Sequence, residues 1–360
     1  MSPPLRPSYR VVVVGAGQAG LAVGFYLRRA GLEPGTDFVL LDAEQDPGGS
    51  WQHMWDSLTL FSPAGHSSLP GWTMPPWTVG FPPRDHVVDY LRRYEARYQL
   101  PVRRPVRVRA VTDAPGTDGF TLRTSHGTTT SRVVVSATGT WTRPFRPHHP
   151  GIEDFTGQQL HTVDYHEPAA LARQRVLVVG GGNSAAQLLA EVSEVASTTW
   201  VTTAAPRFLP DDVDGRALFE VASRRARALS GGEPDPGGIA ALGDIVVVPA
   251  VLRARSRGVL AARRPTHHFT ADGITWADGG HERVDTVLWC TGFRPALSHL
   301  RPLRLPRDDG HPRTSGTRAV DRPGLFLLGY GDWTGPGSAT LVGAARTARS
   351  TVGEILAALS

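Results

Sequence analysis

The sequence predicts an α/β protein with two Rossmann-like dinucleotide-binding domains, the first of which is interrupted by the second. Two observations predict this class: one glycine-rich fingerprint follows an apolar run at 11–20, and another follows an apolar run at 176–187. A third observation is that Thr-Gly turns end apolar runs both before and after the second fingerprint. We therefore assign residues 1–150 and 285–360 to a first domain and residues 151–284 to a second.

The composition is that of a globular chain, and it bounds the class of function. A length of 360 residues is sufficient for two domains with separate cores. The longest apolar runs are broken by glycines, and none reaches the roughly 20 uninterrupted residues that span a bilayer. The first ten residues contain no apolar signal core. We therefore expect a cytoplasmic protein that makes no membrane contact.

Charge and cysteine content set further classes aside. Cys290 is the only cysteine, so the sequence contains no disulfide, no CxxC redox pair and no thiolate cluster. The net charge of +5 comes from arginines scattered along a chain without lysine, which does not predict binding to nucleic acid. Adjacent histidines at 148–149 and 267–268 lack the Asp or Glu spacing of a metal site, so we expect no metal.

The first fingerprint predicts a strand, a tight turn and a helix that bind a dinucleotide. The run VVVV precedes the pattern Gly15-x-Gly17-x-x-Gly20. Gly15 permits the turn, Gly17 lets the backbone approach a pyrophosphate, and Gly20 lets the helix meet the strand. The next strand ends on Asp42, which can accept hydrogen bonds from a ribose. The predicted contacts are Gly15, Gly17, Gln18, Ala19, Gly20 and Asp42.

The second fingerprint repeats this plan with a different strand end. VLVVG precedes Gly180-x-Gly182-x-x-Ala185, and the next strand runs into TTAAPRF, where an acid would receive a free 2′-hydroxyl. Because an acid would repel a 2′-phosphate that Arg207 could bind, the pattern favours NADP over NAD. In the alternative interpretation Arg207 is a solvated loop residue. The predicted contacts are Gly180, Gly182, Asn183, Ser184, Ala185 and Arg207.

Three further loops are predicted to approach a bound nucleotide. The strand at 132–140 ends in ATGT, and the strand at 284–295 ends in a second Thr-Gly turn. The segment from 324 to the end reads as a strand, a glycine-rich loop and a long helix. Asp332 in that loop can hydrogen-bond the ribityl chain of a flavin, or it is a turn residue. The predicted contacts are Ala137, Thr138, Gly139, Thr291, Gly292 and Asp332.

The order of these motifs resembles that of the flavin-containing monooxygenases along nearly the whole chain. The matching motifs are the two fingerprints, GGSW at 48–51, ATGT at 137–140, FTGQQLHTVDY at 155–165 and TGFRP at 291–295. Within that family, the segments 48–75 and 206–216 look most like the small ArsO-like group associated with arsenic-resistance operons. The resemblance implies FAD in the first domain and NADPH in the second. It also implies that Gly49, Ser50 and Trp51 lie along the FAD.

The reaction that the resemblance implies is an oxygenation of a small molecule that consumes NADPH and O2. It would proceed through a C4a-peroxyflavin, which suits the lone pairs of sulfur, nitrogen or arsenic better than a ketone. Because the flavin carries the reactive oxygen, no catalytic side chain is required. Two alternatives remain open: an NADPH oxidase or quinone reductase, and a flavin-dependent redox sensor that binds a protein partner. The sequence is also compatible with a homodimer.

The segment 155–168 lies at the predicted crossing between the two domains. In the resembled family its motif is similar to a hinge that reports nucleotide binding, and its residues here are Phe155, Gly157, His161 and Tyr165. We assign His161 this hinge role instead of that of a general base. The alternative is a buried structural histidine at a domain junction. The glycine- and proline-rich segment 230–252 is a candidate lining or cover for the substrate entrance.

Overall fold

The structure is a computed structural model that describes residues 4–211, 220–221, 224–225, 227–228, 231–234, 245–264 and 267–360. It confirms the mixed α/β class, because most of its strands form two sheets, one mixed with a parallel centre and one fully parallel, that carry helices. The helices are α1 Gln18–Arg29, α2 Arg84–Arg97, α3 Asn183–Val192, α4 Pro249–Ser256 and α5 Leu341–Leu359. Within the described ranges, none of the helices combines the length and apolarity needed to cross a membrane.

The strands follow one another along the chain in two groups. Those before residue 150 are β1 Ser8–Val14, β2 Phe38–Leu41, β3 Val102–Arg103, β4 Val108–Asp113, β5 Phe120–Thr124 and β6 Gly127–Ser136. Those after it are β7 Gln158–His161, β8 Arg175–Val179, β9 Ser197–Val201, β10 Ala262–Arg263, β11 His267–Thr270, β12 Gly273–Trp276, β13 His281–Arg283, β14 Thr286–Trp289, β15 Arg307–Asp308, β16 His311–Pro312, β17 Thr314–Ser315, β18 Arg318–Ala319 and β19 Leu325–Leu327.

The first sheet has the order β17-β18-β19-β6-β1-β2-β3, and the hairpin β4-β5 extends from β6. Strands β19, β6, β1, β2 and β3 pair in parallel. Val11 and Val13 of β1 pack against α1 and α5 on one face of the sheet. Val12 and Val14 pack on the other face, against the hairpin and the turn at 298–303. A strand covered on both faces is apolar throughout, which explains the run VVVV.

The second sheet is fully parallel and has the order β10-β9-β8-β14-β7. Val176 and Val178 of β8 pack with α3 and α4 on one face. Leu177 packs on the other face with Phe269 and Trp276 of the antiparallel sheet β11-β12-β13. This unit therefore has its own core, as the second fingerprint predicts.

The strand β14 lies at the predicted boundary between the domains. The sequence placed the return to the first domain at 285, but Leu288 of β14 pairs with Leu160 of β7 and with Val178 of β8. The second sheet therefore extends to Trp289, and the chain returns after it. A Thr-Gly turn follows β14, and such a turn looks the same in the sequence whichever sheet the strand joins.

A short segment of the first unit packs into the second. Trp55 is buried in the core of the second unit, with Leu58 and Phe61 against it. The Asp56 amide donates to the carbonyl of His166 at 3.1 Å. These contacts tie the chain that follows the GGSW motif to the second unit, so the two units are joined by more than their two chain crossings.

Candidate functional site

A cavity of about 530 Å³ lies at the carboxyl ends of β1, β2 and β6, where open α/β sheets bind their ligands. Most of the contacts predicted for the first domain belong to its lining. They are Gly15, Gly17, Gln18, Ala19, Asp42, Gly49, Ser50, Trp51, Ala137, Thr138 and Gly139. The lining therefore brings together residues from four separate parts of the sequence.

The three positions of the first fingerprint require glycine for different physical reasons. A Cβ at Gly15 would lie 2.4 Å from the carbonyl oxygen of Ala137, and one at Gly20 would lie 1.9 Å from that of Gly15. Both are glycines because the fold leaves no room. At Gly17 the nearest atom is the Cα of Gly49, at 3.9 Å, and φ is an ordinary −74°.

The packing of the described residues does not require glycine at position 17, so the reason for this glycine lies outside the protein chain. It is the N-cap of α1 and lines the cavity. A helix N-terminus presents unpaired N–H groups and positive potential, which suit a phosphate that approaches the backbone. The free space at Gly17 fits the pyrophosphate of a dinucleotide.

The GGSW segment packs over this helix start. A Cβ at Gly49 would lie 2.9 Å from the Cα of Gly17, so the two backbones are in close contact. Trp51 donates from Nε1 to Oε1 of Gln18 at 3.0 Å. Gln18 in turn donates from Nε2 to the carbonyl of Ala339 at 2.5 Å, just before α5. Gln18 therefore joins the fingerprint, the GGSW segment and the C-terminal loop around the cavity.

Asp42 follows the last residue of β2, lines the cavity and is buried. Its Oδ2 accepts from Nε of Arg104 at 3.1 Å, and its Oδ1 accepts from the amide of Glu44 at 3.4 Å. Burial raises the pKa of Asp42, and the guanidinium of Arg104 acts in the opposite direction. This position fits the predicted ribose contact, which stays a prediction.

A buried polar chain beside the cavity was not predicted. His299 Nε2 lies 3.0 Å from Oγ of Ser136, which lies 2.6 Å from the hydroxyl of Tyr330. The amide of Thr138 donates to that hydroxyl at 3.1 Å. The chain therefore holds the ATGT loop in place. It comes from three distant segments without a shared pattern, so no sequence signal could have found it.

The burial of His299 predicts a loss of stability in acid. Burial lowers the pKa of His299 to about 4 from its ordinary value of 6.5. Because the pKa of this group is lower in the folded state, the unfolded chain binds the proton more tightly than the folded chain does. The contribution of His299 to the unfolding free energy is therefore fully present above pH 6.5 and is lost as the pH falls towards 4. We expect about 2 kcal/mol of the unfolding free energy to be lost from pH 7 to pH 5 through this group.

Urea unfolding at both pH values measures this loss. The variant His299→Gln, which does not titrate in this range, should show a smaller decrease than the wild type. Equal decreases in the two proteins would contradict the prediction.

At the second fingerprint the glycines follow the same logic as at the first. Gly180 has φ +139°, and a Cβ there would lie 2.2 Å from the carbonyl oxygen of Cys290. Gly182 is the N-cap of α3, and a Cβ there would meet nothing within 4 Å. Asn183 accepts from the amide of Val246 at 2.8 Å through Oδ1. Ala185 is buried in the core, whereas the half-buried Ser184 lies in the first turn of α3.

Arg207 is exposed in the loop beyond β9, and its carbonyl accepts from the amide of Ile245 at 3.1 Å. We expect Arg207→Ala to raise KM for NADPH roughly 10- to 100-fold and to leave KM for NADH nearly unchanged. The reason is that a charge-assisted contact to the 2′-phosphate contributes about 1.5 to 3 kcal/mol. Steady-state kinetics with both coenzymes measure this, with Arg283→Ala in β13 as a control. Equal losses with both coenzymes would contradict the prediction.

The two chain crossings between the units run side by side as a ribbon. Pro144 and Phe293 form an antiparallel bridge, and the amide of Phe145 donates to the carbonyl of Gly292 at 3.0 Å. Thr291 donates from its hydroxyl to the carbonyl of Phe145. Thr291 and Gly292 are therefore ribbon residues and do not line the cavity.

His161 connects β7 to this ribbon. The amide of Val163 lies 3.3 Å from Nδ1, which must accept, so Nε2 carries the hydrogen and donates to the carbonyl of Gly292 at 3.0 Å. The ring packs edge-on against Phe293, with 5.0 Å between centroids. Burial lowers the pKa of His161, which favours the neutral ring. The contact with the ribbon is compatible with the hinge role, and the role itself stays a prediction.

The other residues of this motif pack the second unit. Phe155 lies in its core against Phe269. A Cβ at Gly157 would lie 2.3 Å from the ring of Phe155, so this position requires glycine. Tyr165 is buried and donates to a carboxylate oxygen of Glu191. Of the four motif residues, His161 is the one that contacts the ribbon in the described part of the chain.

Asp332 is not among the residues that line the cavity. Its Oδ1 accepts from the amide of Gly337 at 3.0 Å, and its Oδ2 pairs with Arg225 at 3.1 Å. With 63% of its side chain exposed, Asp332 takes part in this turn, and its contact with a flavin stays a prediction. Residues 212–216 of the segment 206–216, and much of the segment 230–252, lie outside the described residues.

The chain has two units, each built on a dinucleotide-binding fingerprint, and the ribbon joins them. This arrangement is that of flavoproteins with two dinucleotide-binding units. The model of the family described as pyridine nucleotide-disulphide oxidoreductase matches residues 12–214. A flavin-containing monooxygenase from Stenotrophomonas maltophilia is 48% identical, with a TM-score of 0.89, and the match covers 99% of this chain and 100% of that one.

Curated relatives give the same result. A probable indole-3-pyruvate monooxygenase of Arabidopsis thaliana, YUCCA4, is 31% identical over 89% of this chain and 84% of its own. The CzcO-like oxidoreductase of Geobacillus kaustophilus is 29% identical over 96% and 98%. The chain therefore belongs to the pyridine nucleotide-disulphide oxidoreductase family, as an NAD(P)H-dependent flavin monooxygenase that uses FAD and NADPH. The predicted resemblance is confirmed at the level of the family.

Proposed function

We propose that FAD lies in the cavity at the first fingerprint and that NADPH binds at the second. The FAD domain then consists of residues 1–150 and the chain after Trp289, and the NADP domain of the residues between them. The support for FAD is the free space at Gly17 on the N-terminus of α1 and the carboxylate of Asp42 one strand away. For NADPH the support is the matching free space at Gly182 on α3.

The activity that this arrangement supports is an oxygenation of a small molecule that consumes NADPH and O2. The 48% identity with a flavin-containing monooxygenase over the whole chain is the observation that carries this proposal. FAD, when bound, would take up a hydride and activate O2 for the transfer of one oxygen atom. The protein binds both nucleotides, orients them across the ribbon and excludes water, so its own residues need no proton-transfer set.

A soft heteroatom is the substrate group that fits best. Trp51, Met54 and Trp141 give the cavity an apolar wall, which favours sulfides, amines or arsenicals with an available lone pair over strongly hydrated molecules. Cys290 is buried and its pKa is raised by burial, so a thiolate from this residue would not bind an arsenical. We propose that the chain groups with the small ArsO-like enzymes, and that the part of the apolar wall that FAD leaves uncovered recognises the substrate.

A product-labelling experiment tests the function. Purified protein is supplied with NADPH and 18O2 and screened against thioethers, amines and arsenicals, while NADPH, peroxide and product are measured together. One labelled oxygen per product, with NADPH consumption that depends on the substrate, is the expected result. Peroxide equal to the NADPH consumed and no label in any product would instead indicate an oxidase. Anaerobic reduction of a quinone without oxygenation would indicate a quinone reductase.

A further inference from the structure

Three charged side chains form a buried row that leads from α2 to the cavity. Glu95 Oε1 accepts from Nη1 of Arg104 at 2.7 Å, and Arg104 donates from Nε to Oδ2 of Asp42 at 3.1 Å. Side-chain exposure is 17% for Glu95, 10% for Arg104 and 9% for Asp42. A surface ion pair contributes little, but a buried charge needs a partner, so each member of this row depends on the next.

Backbone hydrogen bonds also hold Asp42 in place. The amide of Asp42 donates to the carbonyl of Arg103 at 3.0 Å, and the amide of Val106 donates to the carbonyl of Asp42 at 2.6 Å. The main chain of Asp42 is thus held between two bonds from the segment that contains Arg104. One oxygen of its carboxylate accepts from the guanidinium, and within the described residues the other accepts only from the amide of Glu44, at 3.4 Å.

The row is not optimised for the stability of the fold. Arg104 Nη2 and Glu95 Oε2 are buried and have no hydrogen-bond partner within the described residues. Unsatisfied buried polar atoms are costly, and apolar residues commonly replace such a row without loss of stability. The cost is explained if the charges serve the group that Asp42 faces in the cavity. A ribose hydroxyl donates hydrogen bonds, and an ionised, correctly oriented carboxylate accepts them more strongly than a neutral group does.

We propose that Arg104 is a positioning residue for FAD: it holds the carboxylate of Asp42 as the acceptor for the adenosine ribose, and Glu95 holds Arg104. This inference rests on the proposed placement of FAD in the cavity. Without the guanidinium, Asp42 would take up a proton or turn towards solvent, and in either case the ribose loses its charged acceptor.

A double-mutant cycle on FAD affinity tests the proposal. Apoprotein is titrated with FAD, and the quenching of flavin fluorescence gives Kd for the wild type, Arg104→Met, Asp42→Asn and the double variant. We expect Arg104→Met and Asp42→Asn each to raise Kd roughly 10- to 100-fold. In the Asp42→Asn background, Arg104→Met should change Kd less than about twofold, because its effect acts through Asp42.

Two further variants separate positioning from folding. Arg104→Lys keeps a positive charge but not the fork that spans two carboxylates, so its Kd should lie between those of the wild type and Arg104→Met. Arg175→Met removes an arginine that pairs with Asp285 at 2.6 Å in the second unit, and it should leave Kd unchanged.

The outcomes are distinguishable. Additive effects of Arg104→Met and Asp42→Asn, or an unchanged Kd for Arg104→Met beside a raised Kd for Asp42→Asn, would overturn the positioning role alone. An unchanged Kd for Asp42→Asn, together with full FAD occupancy in a variant with a bulky residue at Gly17, would overturn the placement of FAD itself.

Discussion

Gly17→Leu is expected to yield folded protein that purifies without FAD. The position has an ordinary φ, and an added Cβ would lie 3.9 Å from the nearest atom, so the fold accepts a side chain there. A leucine side chain would instead fill the space above the N-terminus of α1, where the pyrophosphate must approach. We expect Kd for FAD to rise at least about 100-fold, which corresponds to roughly 2.7 kcal/mol of binding free energy.

The flavin absorbance of the purified protein and its thermal unfolding measure the two parts of this prediction. The wild type should contain about one FAD per chain and be yellow. Gly17→Leu should be colourless, and its midpoint of unfolding should match that of wild-type apoprotein. Full FAD occupancy in the variant would show that the pyrophosphate lies elsewhere.

A matched control comes from the second unit. Gly182 occupies the same place on α3 that Gly17 occupies on α1, and it has the same free space. Gly182→Leu should therefore keep FAD and lose the ability to be reduced by NADPH. By contrast, Gly20→Ala is expected to destabilise the fold, because its Cβ would lie 1.9 Å from the carbonyl oxygen of Gly15.

The sequence predicts these positions because each fingerprint is local. A strand, a turn and a helix within about ten residues determine which backbone atoms meet, so Gly15, Gly17 and Gly20 could be interpreted one by one. The two cores follow from the apolar periods of the same elements. The same local motifs, in their order along the chain, allowed the family, the α/β class and both cofactors to be predicted from the sequence.

The sequence did not predict the features that depend on contacts between distant segments. The pairing of β14 with β7 and β8, the packing of Trp55 in the second core, and the polar chain at His299 each join residues more than 100 positions apart. Asp332 is a position for which the sequence left two interpretations open. Its glycine-rich surroundings look like a cofactor loop, and its carboxylate bonds the amide of Gly337 and pairs with Arg225.

The ribbon contacts His161, whose hinge role stays a prediction. The two crossings are hydrogen-bonded to each other, and the carbonyl of Gly292 accepts from both Phe145 and His161. Phe293 packs between His161 at 5.0 Å and Trp141 at 5.4 Å, and Trp141 lines the cavity. A continuous set of contacts therefore runs from β7 of the second unit to the wall of the cavity.

His161→Ala is expected to uncouple NADPH consumption from product formation. The variant should fold and keep FAD, because both fingerprints lie outside the ribbon, but it removes the bond to Gly292 and the contact with Phe293. The second unit would then be held less firmly over the cavity, so water would enter before the oxygen atom is transferred. The loss of about one hydrogen bond predicts a roughly fivefold rise in the rate of uncoupled turnover.

The measurement is NADPH use, peroxide and 18O-labelled product, in the wild type and the variant, with a substrate found by screening. FAD content and the midpoint of unfolding are recorded for the same samples, because a general loss of structure would also release peroxide. His281→Ala in β13 removes an exposed histidine of the same unit that contacts Thr270 and Asp272 and is not part of the ribbon, and its coupling should equal that of the wild type. A shift towards peroxide in His161→Ala alone, at full FAD content, is the result that the ribbon predicts. Unchanged coupling would make His161 a packed junction residue, whose bond to Gly292 stabilises the ribbon without any part in the reaction.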